Sequence, residues 1–183
     1  EFYRFHLEQI LRYREHTLSE KEESILAASS EIARVAREAF EMLDNADLEL
    51  GTVVDERGET VAITHGNFQS LLQKYDRRVR QEAFESFYTA YAKHRYTYSS
   101  LLSSSVRKDV FYARTRGFPS VREQALFSEN IPVAVYDNLI ETVRDNLDPL
   151  YKYFDLRQRL LKVDELHVYD CSVPLVEDLH WHM

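Results

Sequence analysis

The 183-residue sequence has one cysteine, four glycines and four prolines, and each scarcity closes off a class of protein. Cys171 has no partner for an internal disulfide, so no disulfide framework holds this chain, and a lone thiol suits the cytoplasm. So few Gly and Pro supply too few turns for a fold of many short strands, and they favour long helices. No apolar run approaches the ~20 residues of a membrane span, and no signal peptide is evident. Basic charge is also short, with 23 Lys and Arg against 31 Asp and Glu, a net charge of −8. That balance argues against a nucleic-acid partner, since phosphate contacts need a basic face. Neither G-x-x-x-x-G-K nor G-x-G-x-x-G occurs, so no phosphate cradle is present.

What is present is an ordinary globular composition, 44% hydrophobic and 30% charged, with a heavy load of twelve Tyr and ten Phe. A chain of this length can bury ~70% of its unfolded surface, enough for one good-sized domain or two small ones. Aromatics at helical spacing read first as packing between helices. The nearest thing to a basic patch is Lys74, Arg77, Arg78 and Arg80, diluted by Asp76, Glu82 and Glu85.

The chain is organised around Asp76 to Gly117. No Gly or Pro falls between Arg77 and Arg116, and the spacing predicts one long helix, the longest of the chain. Asp76 can cap its start, and Gly117 can close its end with Pro119 just beyond. About forty residues at ~1.5 Å each make a rod of roughly 60 Å. Phe84, Phe87, Tyr88, Tyr91, Tyr98, Leu101, Leu102, Val106 and Phe111 form its apolar side, which needs partners.

Before it, Phe2 to about Glu15 reads as a helix. Ser19 with Glu22 is a capping box that starts a second near Glu20, running to about Asn45 with a possible break at Ser29-Ser30. From Leu48 the period changes to two: Leu48, Leu50, Thr52 and Val54 alternate, Asp55-Glu56-Arg57-Gly58 turns, and Thr60 to Thr64 returns as a strand. A lone hairpin is marginal in water, so this one must pack on helices or gain strands. Asn67 is placed to cap a short helix through Gln73. After Gly117, Ser120 and Glu123 start a helix through Phe127, and Pro132 opens another, which Pro149 kinks or splits near Asp148. Val163 to Asp170 permits a strand.

Candidate chemistry is sparse. None of the seven histidines is paired at the four-residue spacing that lets two rings share one metal on a helix. His180-Trp181-His182 with Glu177 or Asp178 offers a weaker ligand set, and non-metal roles are favoured there. Ser99, Ser100, Ser103, Ser104 and Ser105 read as small residues that let another helix approach. Cys171 reads as a buried structural thiol. The residues alone give no catalytic, cofactor-binding or metal-binding assignment.

The order of several short stretches carries more. Leu18-Ser19 with Glu22-Glu23, Leu43-Asp44-Asn45-Ala46-Asp47, Thr64-His65-Gly66-Asn67-Phe68 and Asp76 to Arg80 resemble an oligoendopeptidase F, a thimet-oligopeptidase-like zinc metallopeptidase. Arg116-Gly117-Phe118, Ala125-Leu126, Pro149-Leu150-Tyr151 with Tyr153, Leu156-Arg157, and Tyr169-Asp170 with Val173-Pro174-Leu175 extend the likeness over most of the chain. The resemblance implies a mainly α fold, antiparallel long helices with one small β-hairpin, as part of a larger helical peptidase with a deep cleft. It implies hydrolysis of short peptides by a zinc held on H-E-x-x-H and a later Glu. The 183 residues contain no H-E-x-x-H. The expected role is therefore an N-terminal-to-middle, non-catalytic segment that forms part of one cleft wall, with zinc bound by the full-length enzyme and none by this chain. The hairpin could then belong to a sheet whose edge strand binds extended peptide.

Residues 1–66, helices plus hairpin, and 67–183, the long-helix segment, are the expected divisions of one structural unit. Expected partners are a short peptide substrate and the remaining catalytic part of the enzyme, with no nucleic acid and no membrane. Self-association is expected through apolar ends around Phe2, Leu7 and Leu11 and around Leu175, Leu179 and Trp181. The alternative reading is a helical protein-interaction module without peptidase activity.

Overall fold

The computed structural model describes residues 3–176. Within them are eight α-helices and one two-stranded antiparallel sheet. The mainly helical expectation is met. Two compact units result, one from residues 3–46 and 96–141, the other from residues 47–95 and 142–176.

The first unit begins with α1 (Arg4–Arg12), which tightens into a 3-10 turn at Tyr13–His16. The next helix, α2 (Glu20–Met42), starts where the capping box places it, with the Ser19 hydroxyl accepting from the Glu22 N–H and Glu22 reaching back to the Ser19 N–H. Ser29-Ser30 does not break it; the Ser29 hydroxyl donates to the Leu26 carbonyl inside the helix and also meets the Tyr112 hydroxyl. A π-helical turn at Leu43–Asp47 ends it.

The expected single rod from Arg77 to Arg116 is instead two helices, α4 (Arg77–Lys93) and α5 (Arg95–Thr115), and the longest helix is α2. His94 interrupts the ladder at φ −106°, ψ 13°, its N–H bonded to Tyr91 and Ala92 carbonyls in a tightened last turn. Helical periodicity runs on through a single such residue, which is why the pattern hides it. Gly117, at φ +72°, takes the left-handed C-terminal position expected of it.

In the first unit α5 and α6 (Val121–Phe127) meet the 3-10 turn through aromatics. His16 stacks on Phe118 at 3.6 Å between centroids and meets Phe127 edge-on. Arg116 forks onto both Glu23 carboxylate oxygens at 2.8 Å and also donates to the His16 carbonyl. Then comes α7 (Val133–Asp145), and α8 (Asp148–Leu161) carries Pro149 in its first turn, so the proline splits the pattern as expected.

The second unit holds the sheet. Strands β1 (Thr52–Val54) and β2 (Thr60–Ala62) pair Thr52 with Ala62, Val53 with Val61 and Val54 with Thr60. Val53 points into a core of Leu50, Ile63, Leu71, Val79, Ala83, Phe87 and Ala90, so the hairpin is stabilised by α4 and α3 (His65–Leu71) rather than by further strands. Phe68 stacks on Phe87 at 3.9 Å. Burying such a ring contributes about 2 kcal/mol. The short helix starts two residues before the expected Asn67, because Thr64 is its cap and Asn67 its third residue. Val163 to Asp170 forms no strand; a 3-10 turn at Val168–Asp170 stands there.

Candidate functional site

The hairpin's outer edges are where extended backbone remains to be paired. In an antiparallel ladder, directly opposed residues alternate between exchanging both hydrogen bonds and exchanging none. The Ile63 N–H donates to Gly51 at 2.9 Å and the Asp55 N–H to Glu59 at 2.8 Å, which fixes the odd-numbered residues as the bonded pairs. The backbone groups of Thr52, Val54, Thr60 and Ala62 therefore face outward.

The two edges are treated differently. Along β1, α4 supplies caps: the Ser86 hydroxyl donates to the Leu50 carbonyl at 2.8 Å and Arg78 to the Val54 carbonyl at 3.0 Å. Gly51 lets α4 come this close. At φ +85°, a Cβ there would lie 2.4 Å from the Ser86 hydroxyl oxygen. Along β2, the Thr60 N–H and carbonyl and the Ala62 N–H have no partner outside the hairpin among the described residues. The Ala62 carbonyl accepts from the Asn67 side-chain amide at 2.8 Å. On β1 the Thr52 N–H and carbonyl and the Val54 N–H likewise have no partner outside the hairpin among the described residues. Each edge thus keeps a short open stretch: that of β1 lies between the two α4 caps, and that of β2 ends at Asn67, with Thr60 and Ala62 exposed beside it.

The sheet is anchored through α4, and α4 through a buried ion cluster. The Asp170 carboxylate, fully buried, accepts from Arg80 at 2.8 Å, from Arg77 at 2.9 Å and from the His167 N–H at 3.1 Å. Burial pushes this carboxyl up, yet the hydrogen bonds from Arg77, Arg80 and His167 outweigh it and hold it below the usual carboxylate range. Arg157, also buried, donates to the Asp170 and Val173 carbonyls and to the Tyr153 hydroxyl, so α8 is tied to the same turn.

The basic run Lys74, Arg77, Arg78 and Arg80 is thereby used up in structure. Arg77 and Arg80 hold Asp170, Arg78 holds the Val54 carbonyl and Glu82, and Lys74 stands 3.7 Å from Glu56. Sequence reading gave Asp170 no role of its own: it counted only as part of the Tyr169-Asp170 pair in the family resemblance, in a segment with no periodicity to mark a buried carboxylate. Ser104 donates back to the Ser100 carbonyl within α5, and Ser99, Ser100, Ser103 and Ser104 are exposed. Cys171 is half-buried, with its thiol pushed up by burial and 3.6 Å from the His167 carbonyl. Glu177, Asp178, His180, Trp181 and His182 lie outside the described residues.

A helical chain whose small sheet is held by arginines on a buried carboxylate matches known peptidases over nearly its whole length. The family described as Oligopeptidase F matches residues 1–49, and Peptidase family M3 matches residues 70–174. The chain belongs to peptidase family M3. It is 43% identical over 172 residues to Oligopeptidase PepF of Bacillus subtilis, covering 94% of this chain and 26% of that protein. It is 43% identical over 168 residues to Group B oligopeptidase PepB of Streptococcus agalactiae, covering 92% and 28%. The crystal structure of oligoendopeptidase-F from Enterococcus faecium superposes with a TM-score of 0.93 at 39% identity, over 98% of this chain and 34% of that one. The chain thus spans about a quarter to a third of the length of the relatives it matches.

The family resemblance implies zinc. Among the described residues no group of three or more His, Cys, Asp or Glu is placed to hold a metal ion. The described side chains do not fit such a centre, and no chemical step is derived through it. No described helix is long and apolar enough to cross a membrane.

Proposed function

We propose that this chain is a non-catalytic segment of a zinc metalloendopeptidase of the oligoendopeptidase F type, acting on short peptides and contributing part of one wall of the substrate cleft. The observation that carries this reading is the difference in what flanks the two open hairpin edges. Along β1, α4 side chains bracket the open Thr52 groups at Leu50 and Val54, while along β2 only Asn67 intervenes, at the Ala62 carbonyl, leaving the Thr60 N–H and carbonyl and the Ala62 N–H for an added strand. An extended peptide gains affinity from such an edge through backbone bonds, which tolerate many sequences. A scaffold that rigidly holds the edge suits a wall: the hairpin leans on α4, and α4 is pinned by Asp170.

Zinc and the groups that activate water belong, in this reading, to the catalytic part of the enzyme, and the present residues position peptide. The test is amide NMR of the 183-residue chain titrated with a soluble extended hexapeptide. Shifts should concentrate at Thr60 and Ala62. Shifts confined to Thr52 and Val54, or none at saturating peptide, would remove the edge from the proposal. The alternative, a helical interaction module, draws on the exposed apolar side chains of α2 and α5, among them Ile32, Val35, Leu102 and Val106. A reading frame that continues into H-E-x-x-H favours the peptidase, and a stop codon directly after Met183 favours the module.

A further inference from the structure

Asn67 sits where the open edge of β2 ends. Its side-chain carbonyl accepts from the Thr64 N–H at 2.8 Å, and its side-chain amide donates to the Ala62 carbonyl at 2.8 Å. Its own N–H donates to the Thr64 hydroxyl at 3.2 Å, closing the capping box of α3. One side chain therefore begins a helix and occupies the next two backbone groups along the strand. Edge strands in natural proteins are commonly blunted so that pairing stops at a defined point.

The consequence for an added strand follows from the ladder. A peptide lying antiparallel on β2 places one residue opposite Thr60 and exchanges both bonds with it. Two residues further along the peptide, the next bonded position faces Ala62. There the Ala62 N–H can still donate, but the carbonyl already holds the Asn67 amide. We infer that Asn67 is a register stop: it fixes which peptide residue lies opposite Thr60 and limits the paired stretch to three hydrogen bonds. Asn67 would thus be a specificity-determining residue acting on the length and register of the bound peptide, not on its side chains. The inference rests on the peptide-wall reading above.

Asn67→Asp separates the two tasks of this side chain. The carboxylate still accepts from the Thr64 N–H, and a negative charge in the first turn of a helix is favourable. It has no N–H left for the Ala62 carbonyl. The probe is an acetylated hexapeptide of alternating Thr and Val ending in Lys, in a series carrying one N-methyl group at each position in turn, with binding read by fluorescence anisotropy. The unaltered chain should show one intolerant position, the residue that donates to the Thr60 carbonyl. The Asn67→Asp chain should show two, spaced two residues apart, and should bind the unmethylated peptide about threefold to tenfold more tightly, the worth of one further backbone bond. Two intolerant positions in the unaltered chain would overturn the stop without any recourse to the variant. So would the same pattern in both chains. If neither chain binds any peptide of the series, the edge reading under Proposed function fails, and the stop fails with it.

Discussion

Asp170 and Arg80 stand 90 positions apart in sequence and 2.8 Å apart in the folded chain, one fully buried and the other 3% exposed. With Arg77 on the same carboxylate, they join the hairpin-bearing part of the second unit to its C-terminal part. Removing one partner of a buried pair leaves an uncompensated charge, at a cost of about 3–5 kcal/mol. Asp170→Asn should therefore lower stability by about 3 kcal/mol in urea unfolding, since the amide oxygen keeps one of the bonds. Arg78→Ala, on exposed groups, should cost under about 1 kcal/mol. Equal losses in the two variants would show that the buried cluster does not hold the unit.

The same carboxylate gives a pH dependence with a definite sign. Burial raises the Asp170 pKa, but the bonds from Arg77, Arg80 and the His167 N–H leave it lowered in the folded chain. A lowered folded pKa contributes stability that is fully present above the unfolded value near 4 and is lost as pH falls through the folded value. Glu23, lowered by its hydrogen bond from Arg116, acts in the same direction. Stability measured from pH 6 downward should fall below about pH 4, and the fall should be shallower in Asp170→Asn. An identical acid limb in both proteins would remove Asp170 from the account.

Much of this fold was legible because it depends on local chemistry. Ser19 with Glu22, Asp76, Ser120 and Gly117 each act at a helix end where the sequence puts them, and the period of two at Leu50 to Val54 marks a real strand. The break at His94 was hidden because one tightened turn does not disturb helical spacing. The start of α3 was misplaced because Thr64 and Asn67 are both good capping residues three apart, and only the fold shows which is the cap. Asp170 was illegible for a different reason. A buried ion cluster is made by residues distant in sequence, and its members read locally as ordinary surface charges. Which edge groups stay unpaired depends on where Ser86, Arg78 and Asn67 reach, which no strand pattern records.

Catalysis follows from donor placement. The described residues bring together no three metal donors, and the sequence contains no H-E-x-x-H. The purified 183-residue chain should leave short fluorogenic peptides uncut, with or without added zinc. Hydrolysis that is abolished by a chelator and absent from a mock purification would overturn the non-catalytic reading.

Self-association is expected from the apolar side chains left in solvent. On α1, Leu7, Ile10 and Leu11 are each more than half exposed, and on α2 Ile32 is 78% exposed. Contiguous faces of this kind associate in water. Leu175 is half-buried, while Phe2, Leu179 and Trp181 lie outside the described residues. Sedimentation velocity should show mass rising with concentration, and Leu7→Glu with Ile32→Glu should lower it. A monomer at every concentration would count against association through these faces.

Gly51 tests whether α4 must lie as close to the hairpin as it does. Two glycines in this hairpin have positive φ, Gly51 at +85° and Gly58 at +82°. A side chain at either bears the strain of left-handed backbone, about 1–2 kcal/mol. They differ in surroundings: a Cβ at Gly58 would meet nothing within 4 Å, whereas at Gly51 it would lie 2.4 Å from the Ser86 hydroxyl oxygen, which caps the Leu50 carbonyl. Gly58→Ala should therefore show the backbone strain alone. Gly51→Ala should cost more, by about 1–3 kcal/mol, because α4 must move or Ser86 must give up its bond. Ser86→Ala removes the clashing oxygen, so the double variant should be less destabilised than the two single losses added together. A double-mutant cycle in urea measures this coupling. Simple additivity, or equal costs at Gly51 and Gly58, would show that the approach of α4 to β1 is not what requires glycine at position 51.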